Sequence, residues 1–179
     1  CKENNSFGVT TLQKKHIKII KNNVVIDFNG KKNVRNTCKI KNKKIIRTLR
    51  EKRRTLNNDD NIFTYRIKNK YHKIQSKDVN DYLKKFGDFS AKNFRTWGAN
   101  IEFIYQIVKS CQKEFPKNNN EIKRTLNDCI KVVAHKLHNT TSVCKSNYLD
   151  PELINLLEVN PKNFLELFNM NKMNKDKLD

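Results

Sequence analysis

Over the first forty positions, short apolar runs alternate with polar breaks at a period of two. The runs His16–Ile20, Val24–Phe28 and Val34–Ile40 are separated by Lys21-Asn-Asn23 and by Asn29-Gly-Lys-Lys-Asn33. An Asn-Gly pair between apolar runs favours a hairpin, because both residues tolerate positive φ. This pattern predicts a three-stranded antiparallel sheet, with Lys31 just past the tip of its second turn. From Ile45 the period lengthens. Ile45, Ile46 and Leu49 predict a short helix running through Arg54, very basic on its other face. Asn57–Asn61 reads as a loop, followed by Ile62–Tyr65.

The remainder carries helical periodicity. It predicts helices over Ser76–Phe86 (with Ser76 or Asp78 near its start), Asn93–Phe115, Asn120–Leu137, Thr140–Tyr148, Pro151–Glu158 and Pro161–Phe168. In the long second segment, Phe94, Trp97, Ile101, Ile104, Tyr105 and Val108 follow the 3–4 spacing of a buried stripe. Pro116 stops that helix, while Pro151 and Pro161 stand where prolines open helices. The tail after Phe168 is polar. The expected fold is α+β and mostly helical, one domain over residues 1–168 with a small sheet at its front and a tail over 169–179.

Charge narrows the function. The 179 residues carry 38 Lys+Arg against 18 Asp+Glu, a net charge of +20. The cations are spread over the first three quarters of the chain. A polyanion is the natural partner, since neutralising each phosphate releases condensed counterions. The plainer reading is codon bias in an AT-rich genome, where Lys and Asn accumulate. The five cysteines (Cys1, Cys38, Cys111, Cys129, Cys144) have no CxxC spacing and support neither a zinc site nor a disulfide framework. No apolar run reaches the ~18 residues that span a bilayer. A soluble, intracellular protein in a reducing compartment is expected. The chain opens Cys1-Lys-Glu-Asn-Asn with no initiator methionine, as a fragment would.

Candidate chemistry lies late in the chain. Arg95, flanked by Phe94 and Trp97, is expected near the core boundary, where it pairs either with an internal carboxylate or with two phosphate oxygens. Tyr148 ends a short polar helix, and by position alone is an ordinary amphipathic tyrosine. Asn139 suits the N-cap of that helix. His135 and His138 read as surface histidines, and Lys31 as a solvated lysine. Each is weak singly; together an arginine, a short polar group and a phenol can converge on one phosphate.

Several motifs in order carry a resemblance across essentially the whole chain. They are Asn5-Ser-Phe-Gly8-Val-Thr-Thr-Leu12 with Lys15-His16-Ile, then Phe28-Asn-Gly-Lys31, then Lys92-Asn-Phe-Arg95-Thr-Trp-Gly98. The last is Asn139-Thr-Thr-Ser-Val-Cys144-Lys-Ser-Asn-Tyr148-Leu-Asp-Pro151. The chain resembles the catalytic domain of type IB DNA topoisomerases, in their poxvirus, giant-virus and bacterial branch. The resemblance implies a tyrosine-recombinase/topoisomerase IB fold acting on double-stranded DNA, without ATP, metal or other cofactor. Tyr148 would be the nucleophile forming a 3′-phosphotyrosyl link. Arg95 would stabilise the transition state, Lys31 would be the general acid on the departing 5′-oxygen, and Asn139 would donate to a non-bridging oxygen. His138 ranks behind Asn139. Lys92 would be a supporting cation at a phosphate, with Lys145 and the helix bearing Arg47, Arg50, Arg53 and Arg54 as further DNA contacts. A monomer is expected, in host cytoplasm or virion if the source is a virus.

Two departures qualify the resemblance. Thr141 stands where the family commonly has proline. A second catalytic arginine, upstream of Ser-Phe-Gly in the family, has no counterpart here, nor does the N-terminal clamp domain. The 179-residue chain is therefore expected to bind DNA and cleave slowly or not at all. The rivals are a tyrosine recombinase, disfavoured by Lys92-x-x-Arg95 in place of His-x-x-Arg and by Leu137-His-Asn139 in place of Leu-Gly-His, and a non-catalytic basic DNA-binding module. A metal-dependent nuclease ranks last, for want of a compact acidic cluster.

Overall fold

The computed structural model describes residues 6–168, and the chain divides into two compact units, Cys1–Phe89 and Ser90–Asp179. The polar tail expected after Phe168 lies outside the described residues.

In the first unit, β1 (Ile17–Ile20), β2 (Asn23–Asn29) and β3 (Arg35–Ile40) form the expected antiparallel sheet in the order β1-β2-β3. Ile17 faces Ile26 and Val24 faces Ile40, so apolar residues pair across the strands. The basic helix α1 (Lys43–Arg54) opens on Asn42, whose side chain accepts from the Lys44 and Ile45 amides. It buries Ile46 and Leu49 with Leu12, Ile17, Val24 and Ile62; Ile45, expected among them, is exposed. The Asn29-Gly30 turn works differently from the expectation. Gly30 has φ −91°, and the left-handed residues are Lys21 and Asn33. A Cβ at position 30 would lie 2.6 Å from the Asn36 side-chain amide nitrogen, which would have to shift.

A second hairpin was not foreseen. β4 (Thr64–Ile67) and β5 (Lys70–Lys73) pair only with each other, through a turn at Lys68-Asn69. The helix expected over 76–86 is α2 (Ser76–Leu83) followed by a 3-10 turn through Phe86.

The second unit is helical: α3 (Ala91–Lys113), α4 (Asn119–Lys136), α5 (Thr141–Asn147), α6 (Pro151–Val159) and α7 (Pro161–Leu167). The prolines sit at the helix starts as expected, and Asp150 and Asn160 cap α6 and α7. The buried face of α3 corrects the expected stripe. Ala99, Phe103, Ile104, Ile107, Val108 and Cys111 are buried, while Phe94 and Trp97 are 63% and 65% exposed. Phe103 and Ile107 are wholly buried and each contributes about 1.5–3 kcal/mol. Residues recurring at three- and four-residue spacing share one core with Leu126, Ile130 and Val133 of α4. The first two turns of α3 lie before that packed stretch, which leaves the large aromatics there in solvent.

Candidate active site

The site in the second unit begins with the way α4 ends. Leu137 follows the last helical residue, and His138 takes the left-handed conformation at φ 54°. The His138 amide donates to the His135 carbonyl at 3.1 Å, and the Asn139 amide to the Ala134 carbonyl at 2.9 Å. This reversal satisfies two orphan carbonyls of the last turn and leaves that of Leu137 outside the helical ladder. The Arg95 guanidinium donates to it. Held there, the guanidinium carbon lies 5.0 Å from the centroid of the Tyr148 ring, within the range of a cation–π contact.

The structure thus brings Arg95 and Tyr148 together, with a correction to how Arg95 is held. Its residue is exposed and its partner is a peptide oxygen. Among the described residues it has no carboxylate partner, the first of the two expected pairings, and it does not sit at the core boundary. Tyr148 is half-buried at the C-cap of α5, its amide donating to Cys144 at 3.1 Å. Asn100 of α3 clasps the same stretch. Its amide donates to the Tyr148 carbonyl at 3.0 Å, and its oxygen accepts from the Asp150 amide at 2.8 Å. Sequence reasoning missed Asn100; its only signal is a polar residue one position past the buried Ala99. Cys144 lies buried in the same stretch. Burial pushes its thiol up, with Arg95 pulling the other way.

Asn139 does not cap α5. Thr140 does, accepting from the Val143 amide at 3.3 Å, because the reversal after α4 uses Asn139 as its closing residue. The Asn139 side-chain nitrogen is buried and has no partner. Such a group costs free energy unless something accepts from it. His138, Lys92 and Lys145 are exposed. Lys145 borders a cleft of about 460 Å³ with Ser142, Ser146 and Pro151.

Lys31 belongs to the first unit. It is exposed and opens the 3-10 turn Lys31–Asn33 that joins β2 to β3. Arg35, at the start of β3, grips Asp27 with two bonds of 2.8 and 2.7 Å, closing the base of that turn. The guanidinium holds the Asp27 carboxyl below the usual range. On α1 the arginines differ. Arg47 pairs with Glu51 at 3.6 Å, and Arg50 reaches the Lys21 carbonyl at 3.4 Å. Arg53 continues the inward stripe of Ile46 and Leu49, is half-buried, and has an Nε without a partner. Arg54 is exposed. No helix among the described residues is long and apolar enough to cross a membrane, and no three of their His, Cys, Asp or Glu side chains form a group suited to a metal ion.

A family model described as the catalytic core of eukaryotic DNA topoisomerase I matches residues 1–172. The DNA topoisomerase 1B of Acanthamoeba polyphaga mimivirus is 30% identical over 173 residues, 93% of this chain and 51% of that protein. The DNA topoisomerase I of Monkeypox virus and the DNA topoisomerase 1B of Vaccinia virus (strain Copenhagen) are each 29% identical over 170 residues, 93% of this chain and 49% of theirs. The chain spans about half the length of the curated relatives it matches. A match from residue 1 to residue 172 leaves almost none of this sequence outside it, and the chain belongs to the DNA topoisomerase I family, in the type IB branch that its viral relatives represent.

Proposed function

We propose that this chain is the strand-cleaving part of a type IB topoisomerase, which relaxes supercoiled duplex DNA by transient single-strand cleavage and religation. Tyr148 Oη attacks a backbone phosphorus. The O–P bond to tyrosine forms as the phenolic proton passes to water, the P–O5′ bond breaks with protonation of the departing oxygen, and a 3′-phosphotyrosyl link remains beside a free 5′-hydroxyl. One phosphodiester replaces another, so resealing needs no nucleotide. Neither half-reaction calls for a metal or a cofactor.

The observation that carries this reading is the Arg95–Tyr148 contact. A carbonyl anchor orients the guanidinium without cancelling its charge. It therefore stays cationic beside the phenol, and it is available to the non-bridging oxygens as charge builds on them. The unpaired Asn139 nitrogen is suited to donate to one of those oxygens. Lys31, exposed on a turn pinned by Asp27 and Arg35, is the proposed acid that protonates the 5′-oxygen as it leaves. Lys92, Lys145, Arg47, Arg50, Arg53 and Arg54 are the proposed phosphate contacts, with Arg53 the one that must first leave its half-buried position.

The test is a nicked suicide duplex incubated to long times, so that even slow cleavage accumulates as a covalent adduct. The unaltered chain should yield a protein–DNA adduct and Tyr148→Phe none, with equal binding of the duplex. Equal adduct from both proteins would remove Tyr148 as nucleophile. Equal binding with no adduct from either leaves the chain a basic DNA-binding module.

A further inference from the structure

The β4–β5 hairpin packs into neither the three-stranded sheet nor the core beneath it. Its strands pair only with each other, and every residue from Tyr65 to Lys73 is exposed. Only its base is tied: the Lys52 amine donates to the Thr64 carbonyl at 2.8 Å, and the Ile74 amide to the Phe63 carbonyl at 3.0 Å. Lys68 and Asn69, at φ 40° and 67°, form the tip. A two-stranded hairpin alone is marginal in water, so apolar residues on such a ribbon need another reason to be there.

Its chemistry gives one. Arg66, Lys68, Lys70 and Lys73 fall within eight residues, and no acid occurs between Asp60 and Asp78. The register sorts side chains onto two faces. Tyr65, Ile67, Lys70 and His72 share one, and Thr64, Arg66, Tyr71 and Lys73 the other. Each face holds a ring beside a nitrogen group: Tyr65 stacks on His72 at 5.5 Å, and the Arg66 guanidinium lies 5.9 Å from the Tyr71 centroid. Tyr71 is 70% exposed.

We propose that this ribbon enters the major groove of duplex DNA, as a contact separate from the cleavage site; the choice of DNA as partner rests on the function proposed above. A ribbon seated in a groove sets one of its strands against each phosphate wall and needs cations on both, which is the arrangement seen: Arg66 on β4, Lys70 and Lys73 on β5. Size selects the groove. A major groove ~12 Å wide admits a two-stranded ribbon, whereas a minor groove is only ~6 Å wide. The two phenols lie on opposite faces, and Tyr71, the more exposed, is the one turned to the base edges.

The experiment uses the full chain in a Tyr148→Phe background, so that binding is read without strand cleavage. A short labelled blunt duplex is titrated over a range of KCl, and guanine N7 methylation by dimethyl sulfate is mapped on the same duplex. Against that parent, R66Q/K68Q/K70Q/K73Q should lower the log–log salt slope by about 3–4 and expose N7 positions that the parent protects. Tyr71→Ala should change the N7 pattern and leave the slope alone. Circular dichroism of each variant should match the parent. An unchanged slope overturns the proposal. So does a reduced slope with an unchanged N7 pattern, which would place the ribbon on the backbone outside the groove. Failure of the adduct test leaves these readings intact, and failure here leaves the adduct test intact.

Discussion

Asn100 holds the Tyr148 segment by its backbone: one amide hydrogen bond of 3.0 Å to the tyrosine carbonyl, with the asparagine oxygen accepting from Asp150 two residues on. The proposed nucleophile is thus held in place by a residue that need not touch DNA. Asn100→Ala should slow adduct formation by about 10–100-fold, the scale of a misplaced reacting group, while leaving duplex affinity within twofold. Asn100→Asp, which keeps the acceptor and loses the donor, should fall between. Single-turnover rates at saturating protein make the comparison; an unaltered rate for Asn100→Ala would deny the clasp a positioning role.

The role proposed for Arg95 draws on charge and on shape. Arg95→Ala should lower the cleavage rate by about 10²–10³-fold, as removal of a preorganised donor does. Arg95→Lys should recover only part of it, since an ammonium cannot reach the Leu137 carbonyl and two phosphate oxygens with one planar fork. A filter-binding isotherm should barely move. Equal losses of binding and rate would place Arg95 in affinity alone.

Lys31 depends on its turn. Gly30→Ala forces a methyl to within 2.6 Å of the Asn36 amide, which itself donates to the Val34 carbonyl at 2.8 Å. Both Gly30→Ala and Lys31→Ala should slow cleavage of an ordinary duplex by about 10²–10⁴-fold, the range for a lost general acid. A duplex whose leaving oxygen is replaced by sulfur needs no proton there, so both variants should approach the parental rate on it. A defect that persists with the sulfur substrate would assign Lys31 another task.

His16 gives a stability prediction with a sign. It is buried, lies 4.3 Å from the Phe7 ring, and accepts the Gln13 amide on Nδ1 at 3.0 Å, which requires the neutral ring. Burial, and then Lys15, push its pKa below 6.5. A depressed folded pKa means the unfolded chain binds the proton more readily, so its stabilising share is present above pH ~6.5 and lost as pH falls through the folded value. The melting temperature should drop between pH 7 and 5, and His16→Gln should flatten that slope. A parent whose melting is level across this window would rule the account out.

The sheet, the helix count and the proline-opened helices were legible because period, turn residues and caps are local signals. The buried face of α3 was not. Phe94 and Trp97 have the spacing of a core stripe, yet burial depends on which turns of α3 meet α4, and that is a tertiary fact. The β4–β5 hairpin was missed because Arg, Lys and His interrupt its few apolar residues, so that neither face is apolar throughout. At the site, Tyr148 and Arg95 could be named from motifs. The Leu137 carbonyl and the Asn100 clasp could not, since each is a backbone contact between residues more than forty positions apart.

The mooring of Arg95 to Leu137 has a consequence for mutational tolerance. Every amino acid presents the same peptide oxygen, so exchanging the side chain at 137 leaves the anchor in place so long as the local chain path survives. That path turns on His138, whose positive φ suits glycine or asparagine and resists a β-branched residue. Position 138, which ranks only behind Asn139 for a chemical role, is where a valine would cut the guanidinium loose.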